Sequence, residues 1–256
     1  MMIIDPYRFG GGGDLWTPAQ ITTRLWYDAA DADTITSSGS DLTAWNDKSG
    51  NGDDLSTSTG SEPQTGTRTL NGLNVVDFID GGAGSGDRAI ANFTTIAQPI
   101  LHIILSKIDV QQVAVLFDSY NNTIHAFYKK NVSDLNFYAG VASPVFTDNP
   151  TTPIFYSLLI DNTSTARGVN GTYPRGLITA GPNGLDGISL GNIRGNPSPI
   201  VTNQEFDGYH AEYIALTGAN ITTANRQLCE GYLAWKWGLE ANLPIGHPYK
   251  SAAPTI

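Results

Sequence analysis

The chain is poor in cysteine, in charged residues and in long apolar runs, and each shortage excludes a class of protein. Cys229 is the only cysteine among 256 residues, so no internal disulfide can form and a disulfide-stabilised secreted scaffold is excluded. Charged residues make up 15 % of the chain and the net charge is −10. We therefore expect neither nucleic acid nor a membrane as a partner. The longest apolar run, Ile100–Leu105, is interrupted by His102 and is too short to span a bilayer.

The N-terminal segment lacks the features of a signal peptide. Met1–Pro6 has neither a basic region nor an apolar stretch, so we expect the protein to leave a cell only as part of a particle. The segment does contain apolar and aromatic residues, Ile3, Ile4, Tyr7 and Phe9, ahead of four consecutive glycines. Because such glycines form a flexible tether, two interpretations are open: a frayed terminus, or a docking peptide that inserts into a neighbouring subunit.

Short apolar segments separated by turn residues make up most of the remaining chain. This pattern predicts an all-β fold, a two-sheet antiparallel jelly-roll sandwich. The predicted strands are Thr23–Ala29, Leu73–Ile79, Ile100–Ile108, Val113–Ser119, Thr123–Lys129, Leu135–Val141, Ile154–Asp161, Ile188–Ile193 and Tyr209–Leu216. Ile100–Leu105 and Ile154–Ile160 are almost continuously apolar, so we expect these strands to be buried on both faces. Asn170-Gly171 predicts a tight hairpin, because both residues must take positive φ.

One helix is predicted near the C-terminus, over residues 222–238. Thr222 offers an N-cap, and Gly238 ends the segment. An apolar stripe at helical spacing lies between them, formed by Ala224, Leu228, Tyr232 and Trp235. We therefore divide the chain into an N-terminal docking segment with a glycine linker over residues 1–20 and one sandwich, including the helix, over residues 21–256.

The stretch that follows Trp45 alternates oxygen-bearing side chains with glycines. Asp47, Ser49, Asn51 and Asp53 stand at every second position, a spacing that can surround a Ca²⁺ ion with oxygens. The glutamate expected at the twelfth position of a calcium loop is replaced by Ser58. The same residue types also build a turn without a cation, so both interpretations stay open.

The acidic segment Glu205–Glu212 is the candidate for hydrolytic chemistry. Sandwich-fold glucanases place three acids at alternate positions of one strand, but here Asp207 is followed at position 209 by a tyrosine. The catalytic arrangement is therefore incomplete. By strand alternation, His210 and Glu212 are expected to share an exposed face.

Other catalytic and metal-binding patterns are absent from the sequence. It has no nucleophile elbow, no phosphate-binding loop and no zinc-protease motif, and its four histidines are far apart in the chain. We predict no catalytic residue and no certain cofactor. Four aromatic residues remain as candidates to stack on a sugar ring: Tyr120, Tyr138, Tyr173 and Trp237.

Several of these segments resemble a known family. They are Leu25–Asp31, Trp45–Asp54, Asn71–Phe78, Phe206–Gly208 with Ala211–Glu212, and Glu230–Gly238 followed by Leu243-Pro244 and His247–Tyr249. Together they look like the concanavalin A-like, laminin G-type domains of virion and surface proteins, over roughly residues 23–252. The N-terminal Ile3–Phe9 resembles the starts of some tailed-phage structural proteins. The resemblance implies a lectin-like jelly roll that recognises glycans or serves as a structural module.

From these features we predict a non-enzymatic appendage or decoration protein of a virion, in its tail, baseplate or head fibre. The chain would be assembled in the host cytoplasm in several copies, or as a homo-oligomer. It would dock to other virion proteins through its N-terminal segment and bind host surface polysaccharide. Two alternatives stay open: a glycan-cleaving depolymerase of the same fold, and a structural spacer.

Overall fold

Over the residues that the structure describes, two large sheets and one α-helix make up most of the architecture. The computed structural model describes residues 8–9, 13–81, 86–110, 113–121, 123–129, 135–141, 151–175, 177–192 and 205–256. Its strands are β1 (Arg8–Phe9), β2 (Gly13–Asp14), β3 (Leu25–Asp28), β4 (Ile35–Ser38), β5 (Asp41–Trp45), β6 (Leu55–Ser56), β7 (Thr69–Leu70), β8 (Leu73–Asn74), β9 (Val76–Phe78), β10 (Ala89–Ala91), β11 (Ile100–Ile108), β12 (Ala114–Asp118), β13 (Ala126–Lys129), β14 (Leu135–Tyr138), β15 (Ile154–Ile160), β16 (Thr165–Val169), β17 (Leu177–Ile178), β18 (Ile188–Leu190) and β19 (Gly208–Thr217). The helix α1 spans Thr223–Lys236, and short 3₁₀ helices span Pro18–Gln20, Ala32–Thr34, Gly218–Asn220 and Glu240–Asn242.

The strands pair in two large antiparallel sheets. One has eight strands in the order β14-β13-β12-β18-β10-β6-β5-β4. The other has seven, in the order β17-β16-β15-β11-β19-β3, with β9 also paired to β19. The small pairs β1-β2 and β7-β8 stand apart from both. The predicted all-β, two-sheet antiparallel sandwich is confirmed.

An inner core fills the space between the two sheets. From the seven-stranded sheet come Ile100 and Ile104 of β11, and from the eight-stranded sheet come Leu116 and Phe117 of β12; all four are fully buried. Alternate residues of β11 face the other way, as the two-residue period of a strand requires. The inner core therefore accounts for only one face of this strand.

An outer core covers the second face of the seven-stranded sheet. Leu101 and Ile103 of β11 pack there against Tyr232 and Leu233 of α1, so β11 is buried on both faces as predicted. The helix therefore forms a third layer of the fold, which covers the side of the seven-stranded sheet that faces away from the other sheet. Trp16, which we assigned to the N-terminal segment, also packs in the outer core.

The helix begins and ends close to the predicted positions. Oγ1 of Thr222 accepts a hydrogen bond from the amide of Asn225 at 3.0 Å, which is an N-cap. Beyond the last turn, Gly238 has a φ of 70°, a conformation that glycine adopts without strain. The buried face differs from the predicted stripe, since Ala224 is exposed while Lys236 is buried.

Candidate functional site

A tight turn brings Tyr173 onto the surface of the seven-stranded sheet. Asn170 and Gly171 take φ values of 47° and 79°, as the sequence predicted for a two-residue hairpin. Val169 and Thr172 exchange backbone hydrogen bonds of 3.1 and 2.9 Å across the turn. The chain therefore turns straight back alongside β16, where the amide of Arg175 donates to the carbonyl of Arg167 at 2.7 Å, and the Tyr173 side chain lies against Gly168.

Tyr173 occupies this position because β16 has a glycine beneath it. A Cβ atom on Gly168 would lie 2.8 Å from Cδ2 of the Tyr173 ring, closer than carbon atoms approach without strain. The ring is partly exposed. Burial raises the pKa of its hydroxyl, against a smaller lowering by the charge of Arg226, so Tyr173 stays protonated at neutral pH and can donate a hydrogen bond.

The guanidinium of Arg226, in the first turns of α1, lies over the Tyr173 ring with its carbon 4.1 Å from the ring centroid, a cation–π contact. Its Nη1 donates to both carboxylate oxygens of Glu230 at 2.7 Å. Glu230 also accepts from Oγ of Ser157 at 2.6 Å and lies 3.2 Å from Nε2 of His247. Arg226 is thus held by Glu230 of the same helix, whose carboxylate is fixed in turn by Ser157 of β15 and His247 of the C-terminal segment.

Between the helix and the sheet lies a cleft of about 170 Å³, which we call the Tyr173 cleft. Its walls are Leu101, Leu159, Tyr173, Ile221, Thr222, Thr223 and Arg226. They combine apolar side chains, the tyrosine ring, two hydroxyls and a guanidinium. A concave site with apolar walls and a few convergent polar groups is the usual form of a small-molecule site.

A second group of functional side chains lies where β9, β11 and β19 meet at one end of the seven-stranded sheet. The amide of Asp109 donates to the carbonyl of Asp207 at 2.8 Å, so these residues are neighbours. Burial acts to raise the pKa of Asp109, but hydrogen bonds from Arg68 and Lys107 outweigh it and lower the pKa. Burial and then the charge of Asp109 raise the pKa of Asp207. The Asp109 carboxylate is thus held ionised by ion pairs with Arg68 and Lys107, beside an Asp207 carboxyl group that is protonated more readily, and two carboxyl groups in different environments can take the roles of base and acid.

Glu205 and Asp207, the acids that the sequence singled out, precede β19 and do not alternate along a strand. The prediction that His210 and Glu212 share an exposed face is wrong. Pairing between β11 and β19 moves from Leu105–Glu212 to Ser106–His210 and skips Ala211, which is a β-bulge. The bulge sends His210 into the inner core beside Phe206 and Glu212 toward the helix, and both are fully buried.

Glu212 belongs to a buried charge network in the outer core. Nζ of Lys236 lies 2.5 Å from Oδ1 of Asp28 and 2.7 Å from Oε2 of Glu212. The indole nitrogens of Trp26 and Trp237 donate to Glu212 at 2.7 and 2.9 Å. Because all three charged side chains are fully buried, this network joins helix and sheet and is closed to ligands. Trp237 is equally buried, so its ring has no open face for a sugar and we correct that prediction.

Asp47, the first residue of the predicted cation loop, has its carboxylate occupied by donors from the chain. Oδ1 accepts from the amides of Trp26 and Ser49, each at 2.9 Å. Oδ2 accepts from Oγ of Ser49 at 2.5 Å. These bonds fix the loop to β3, which is what a structural turn requires.

The rest of the loop is also held by the chain. Nδ2 of Asn51 donates to the carbonyl of Arg24 at 3.0 Å, and Asp53 forms an ion pair with the same arginine. Gly50 and Gly52 take φ values of 85° and 76°. Within the described ranges, no three His, Cys, Asp or Glu side chains lie close enough to hold a metal ion. The contacts match the turn interpretation, while Ca²⁺ binding stays a prediction.

The other predicted positions lie away from the cleft. Tyr120 and Tyr138 are partly exposed, and Tyr138 packs on a small apolar cluster of the eight-stranded sheet. Of the docking residues Ile3, Ile4, Tyr7 and Phe9, only the backbone of Phe9 lies within the described residues, where β1 pairs with β2. None of the helices in the described ranges is both long enough and apolar enough to cross a membrane.

Solved structures of glycan-processing enzymes share this fold. Domain 4 of AbnA, a GH43 extracellular arabinanase from Geobacillus stearothermophilus in complex with arabinotriose, superposes with a TM-score of 0.55 at 12% identity, over 80% of this chain and 96% of that one. Trypanosoma rangeli sialidase in complex with sialic acid matches with a TM-score of 0.53 at 13% identity, over 87% of this chain. The chain spans about a third of the sialidase, since the match covers 34% of it. No protein-family model and no curated protein sequence matches the chain.

These similarities correct one prediction and support part of another. Both neighbours come from enzymes that process glycans, which contradicts the prediction that the chain is not an enzyme. A carbohydrate-related β-sandwich is supported at the level of the fold. Neither neighbour is a phage protein, so the place in a virion, the docking segment and the multicopy assembly stay predictions. At 12 and 13% identity the neighbours show the fold alone.

Proposed function

We propose that the chain is the carbohydrate-recognising sandwich of a glycan-processing system and that it holds sugar in the Tyr173 cleft. The observation that carries the proposal is the arrangement of Tyr173 under Arg226 beside two threonine hydroxyls. The apolar walls of the cleft suit the C–H groups of a sugar ring, and the ring's hydroxyls suit donors that are fixed in place. Gly168 and Glu230 hold the two central side chains before any ligand arrives, which lowers the entropic cost of binding.

The extent of the structural match supports the same proposal. Domain 4 of the arabinanase, solved in complex with arabinotriose, is matched over 96% of its length. The sialidase is matched over only 34% of its length. We therefore propose that this chain corresponds to a sugar-holding unit within a glycan-processing protein or assembly.

The proposal is tested by titrating neutral and acidic oligosaccharides into the full chain by isothermal calorimetry. We expect Tyr173→Ala to weaken binding by about tenfold or more, since aromatic anchors dominate binding energies. The matched control is Tyr120→Ala, which removes a partly exposed tyrosine outside the cleft and should leave the affinity unchanged. Equal losses in both variants, or a loss in Tyr120→Ala alone, would place the sugar elsewhere.

A second candidate function is glycan cleavage, favoured by two adjacent acids, Asp109 and Asp207, of which Asp109 is ion-paired with Arg68 and Lys107 while burial raises the pKa of Asp207. Asp207, with its raised pKa, would protonate the leaving oxygen, and Asp109 would act as the base or nucleophile. New reducing ends released from polysaccharides measure the activity. We expect Asp207→Asn to lower it about 100-fold or more, and Asp33→Asn, an exposed change elsewhere, to leave it intact. A chain that binds sugars but releases no reducing ends would eliminate cleavage and leave recognition standing.

A further inference from the structure

The size of the Tyr173 cleft limits what it can hold. Its volume is about 170 Å³, and an apolar cavity of about 150 Å³ holds one benzene ring. A single six-membered or five-membered sugar ring therefore fills the cleft. A second ring of the same chain would extend past the walls into solvent.

The charge of the cleft limits the ligand further. Arg226 is its only ionisable side chain with a permanent charge, and that charge is already paired with Glu230 through two contacts of 2.7 Å. The Glu230 side chain is fully buried and that of Arg226 is 9% exposed. A sugar carboxylate entering here would lose its water without gaining an unpaired cation, which is costly.

The remaining polar groups of the cleft can form hydrogen bonds with the hydroxyl groups of a sugar. Both bonds to Glu230 use Nη1 of Arg226, so among the described contacts its Nη2 and Nε keep their donor capacity. Oγ1 of Thr222 accepts from Asn225 and its proton can point outward, as can that of the exposed Thr223. Leu101, Leu159 and Ile221 line the cleft and suit the C–H groups of a ring.

We infer that the Tyr173 cleft binds one uncharged sugar ring and discriminates against carboxylated sugars, with the buried Arg226–Glu230 pair as the specificity determinant. This inference rests on the proposed function and adds the substrate class. It separates the two ligand chemistries named in the structural neighbours, favouring neutral sugars such as the arabinose of arabinotriose over acidic sugars such as sialic acid.

The first experiment titrates the full chain with arabinose, galactose and galacturonic acid, and with arabinotriose, followed by NMR or calorimetry. We expect at least one neutral sugar to bind about tenfold or more tightly than galacturonic acid, given the cost of burying its carboxylate. Arabinotriose should bind within a few-fold of arabinose, because only one ring is enclosed. Preference for galacturonic acid, or affinity that rises steeply with chain length, would overturn the inference.

Salt dependence provides a test that needs no variant. Raising the salt from about 0.1 to about 1 M shortens the Debye length from about 10 to about 3 Å and weakens attraction between a free cation and an acidic sugar. We expect the affinity for the neutral sugar to stay constant over this range. A strong fall would show that binding depends on unpaired charge and would contradict the inference.

The Glu230→Gln variant tests the determinant itself. It keeps the shape of the side chain and releases the charge of Arg226, so galacturonic acid should gain affinity relative to galactose by about tenfold. An unchanged ratio in a folded variant would overturn the role of the pair. If no sugar of either class binds the wild-type chain, the proposed function itself fails; if acidic sugars alone bind, the function stands and only the inference fails.

Discussion

The two cores on either side of the seven-stranded sheet differ in the charge of their buried polar groups. In the inner core, Nε2 of His102 lies 2.9 Å from Nε2 of His125, and burial lowers the pKa of both rings, so they are neutral at pH 7. In the outer core, Lys236 lies between Asp28 and Glu212. Among the described residues, the ion pairs between fully buried side chains that Lys236 forms with Asp28 and Glu212 lie in the outer core.

The difference follows from what each core is built of. The inner core lies between two sheets whose side chains are mostly apolar, so a buried histidine can stay neutral and bond to another neutral group. In the outer core, attraction to Lys236 and Lys48 outweighs the effect of burial and lowers the pKa of Asp28. Burial and the charge of Asp28 raise the pKa of Glu212. The helix thus provides the cation, Lys236, that pairs with the buried carboxylates of the sheet.

The largest expected effect comes from breaking the outer network. Lys236→Met leaves Asp28 and Glu212 buried without their shared cation, and we expect a loss of about 3–5 kcal/mol in the free energy of unfolding. Denaturant unfolding at pH 7 measures it. Lys250→Met, whose lysine contacts the carbonyls of Glu240 and Ala241 at the surface, is the control and should cost about 1 kcal/mol or less. A loss below about 1 kcal/mol in Lys236→Met would remove the distinction between the cores.

The buried histidines of the inner core should make the stability of the protein depend on pH. Burial lowers the pKa of His125 to about 4 and that of His210 to about 3, below the unfolded value of about 6.5. Below pH 6.5 these histidines therefore bind protons in the unfolded state but stay unprotonated in the folded state. Stability is fully present above that pH and falls by up to about 1.4 kcal/mol per pH unit for each histidine as the pH drops toward the folded values.

Unfolding measured from pH 7 to pH 4.5 in the wild type and in His125→Gln tests this effect. The variant should lose stability less steeply with falling pH, because it lacks the His125 imidazole, whose pKa is lowered in the folded state. Parallel slopes would show that His125 takes up a proton equally in the folded and the unfolded state over this range, so that burial does not lower its pKa.

A smaller effect distinguishes close packing from helix propensity in the outer core. Gly231 lies within α1, where alanine alone would favour the helix by about 1 kcal/mol. A Cβ atom there would lie 2.7 Å from three atoms of Tyr249, so we expect Gly231→Ala to destabilise the protein by about 1–3 kcal/mol. Gly246→Ala, with no atom within 4 Å of its Cβ, should change stability by about 0.5 kcal/mol or less. Stabilisation by Gly231→Ala would mean that the C-terminal segment packs loosely on the helix.

The sequence predicted those strands and turns that have a long apolar run or a characteristic turn dipeptide. β11 matches its predicted bounds, β15 differs by one residue, and the Asn170-Gly171 turn takes the predicted conformation. β1, β2, β4, β5, β6, β7, β10 and β17 were missed, and β16 was predicted only as one arm of the Asn170-Gly171 hairpin. β6 and β10 are very short, and β16 contains Arg167 and Gly168, which weaken the apolar signal of a strand.

The candidate site was predicted only in part. Tyr173 was a candidate because a tyrosine near a strand end can stack on a sugar, and the structure places it in the cleft. Arg226 and Glu230 have the i, i+4 spacing of an exposed helical ion pair, and nothing local shows that β15 and the C-terminal segment bury them. The bulge at Ala211 carries no sequence signal that fixes its position, so the faces of His210 and Glu212 were assigned wrongly.

The sequence by itself determined that this protein is an all-β sandwich with one C-terminal helix and no internal disulfide. Periodicity, turn residues and composition act over a few neighbouring residues, and those local preferences are enough to specify strands and turns. The tertiary structure alone decided that the helix forms a third layer, that ionised side chains lie beneath it, and that a cleft opens between Tyr173 and Arg226. Those features depend on residues far apart in the chain meeting in space, where burial and pairing set their charge and their chemistry.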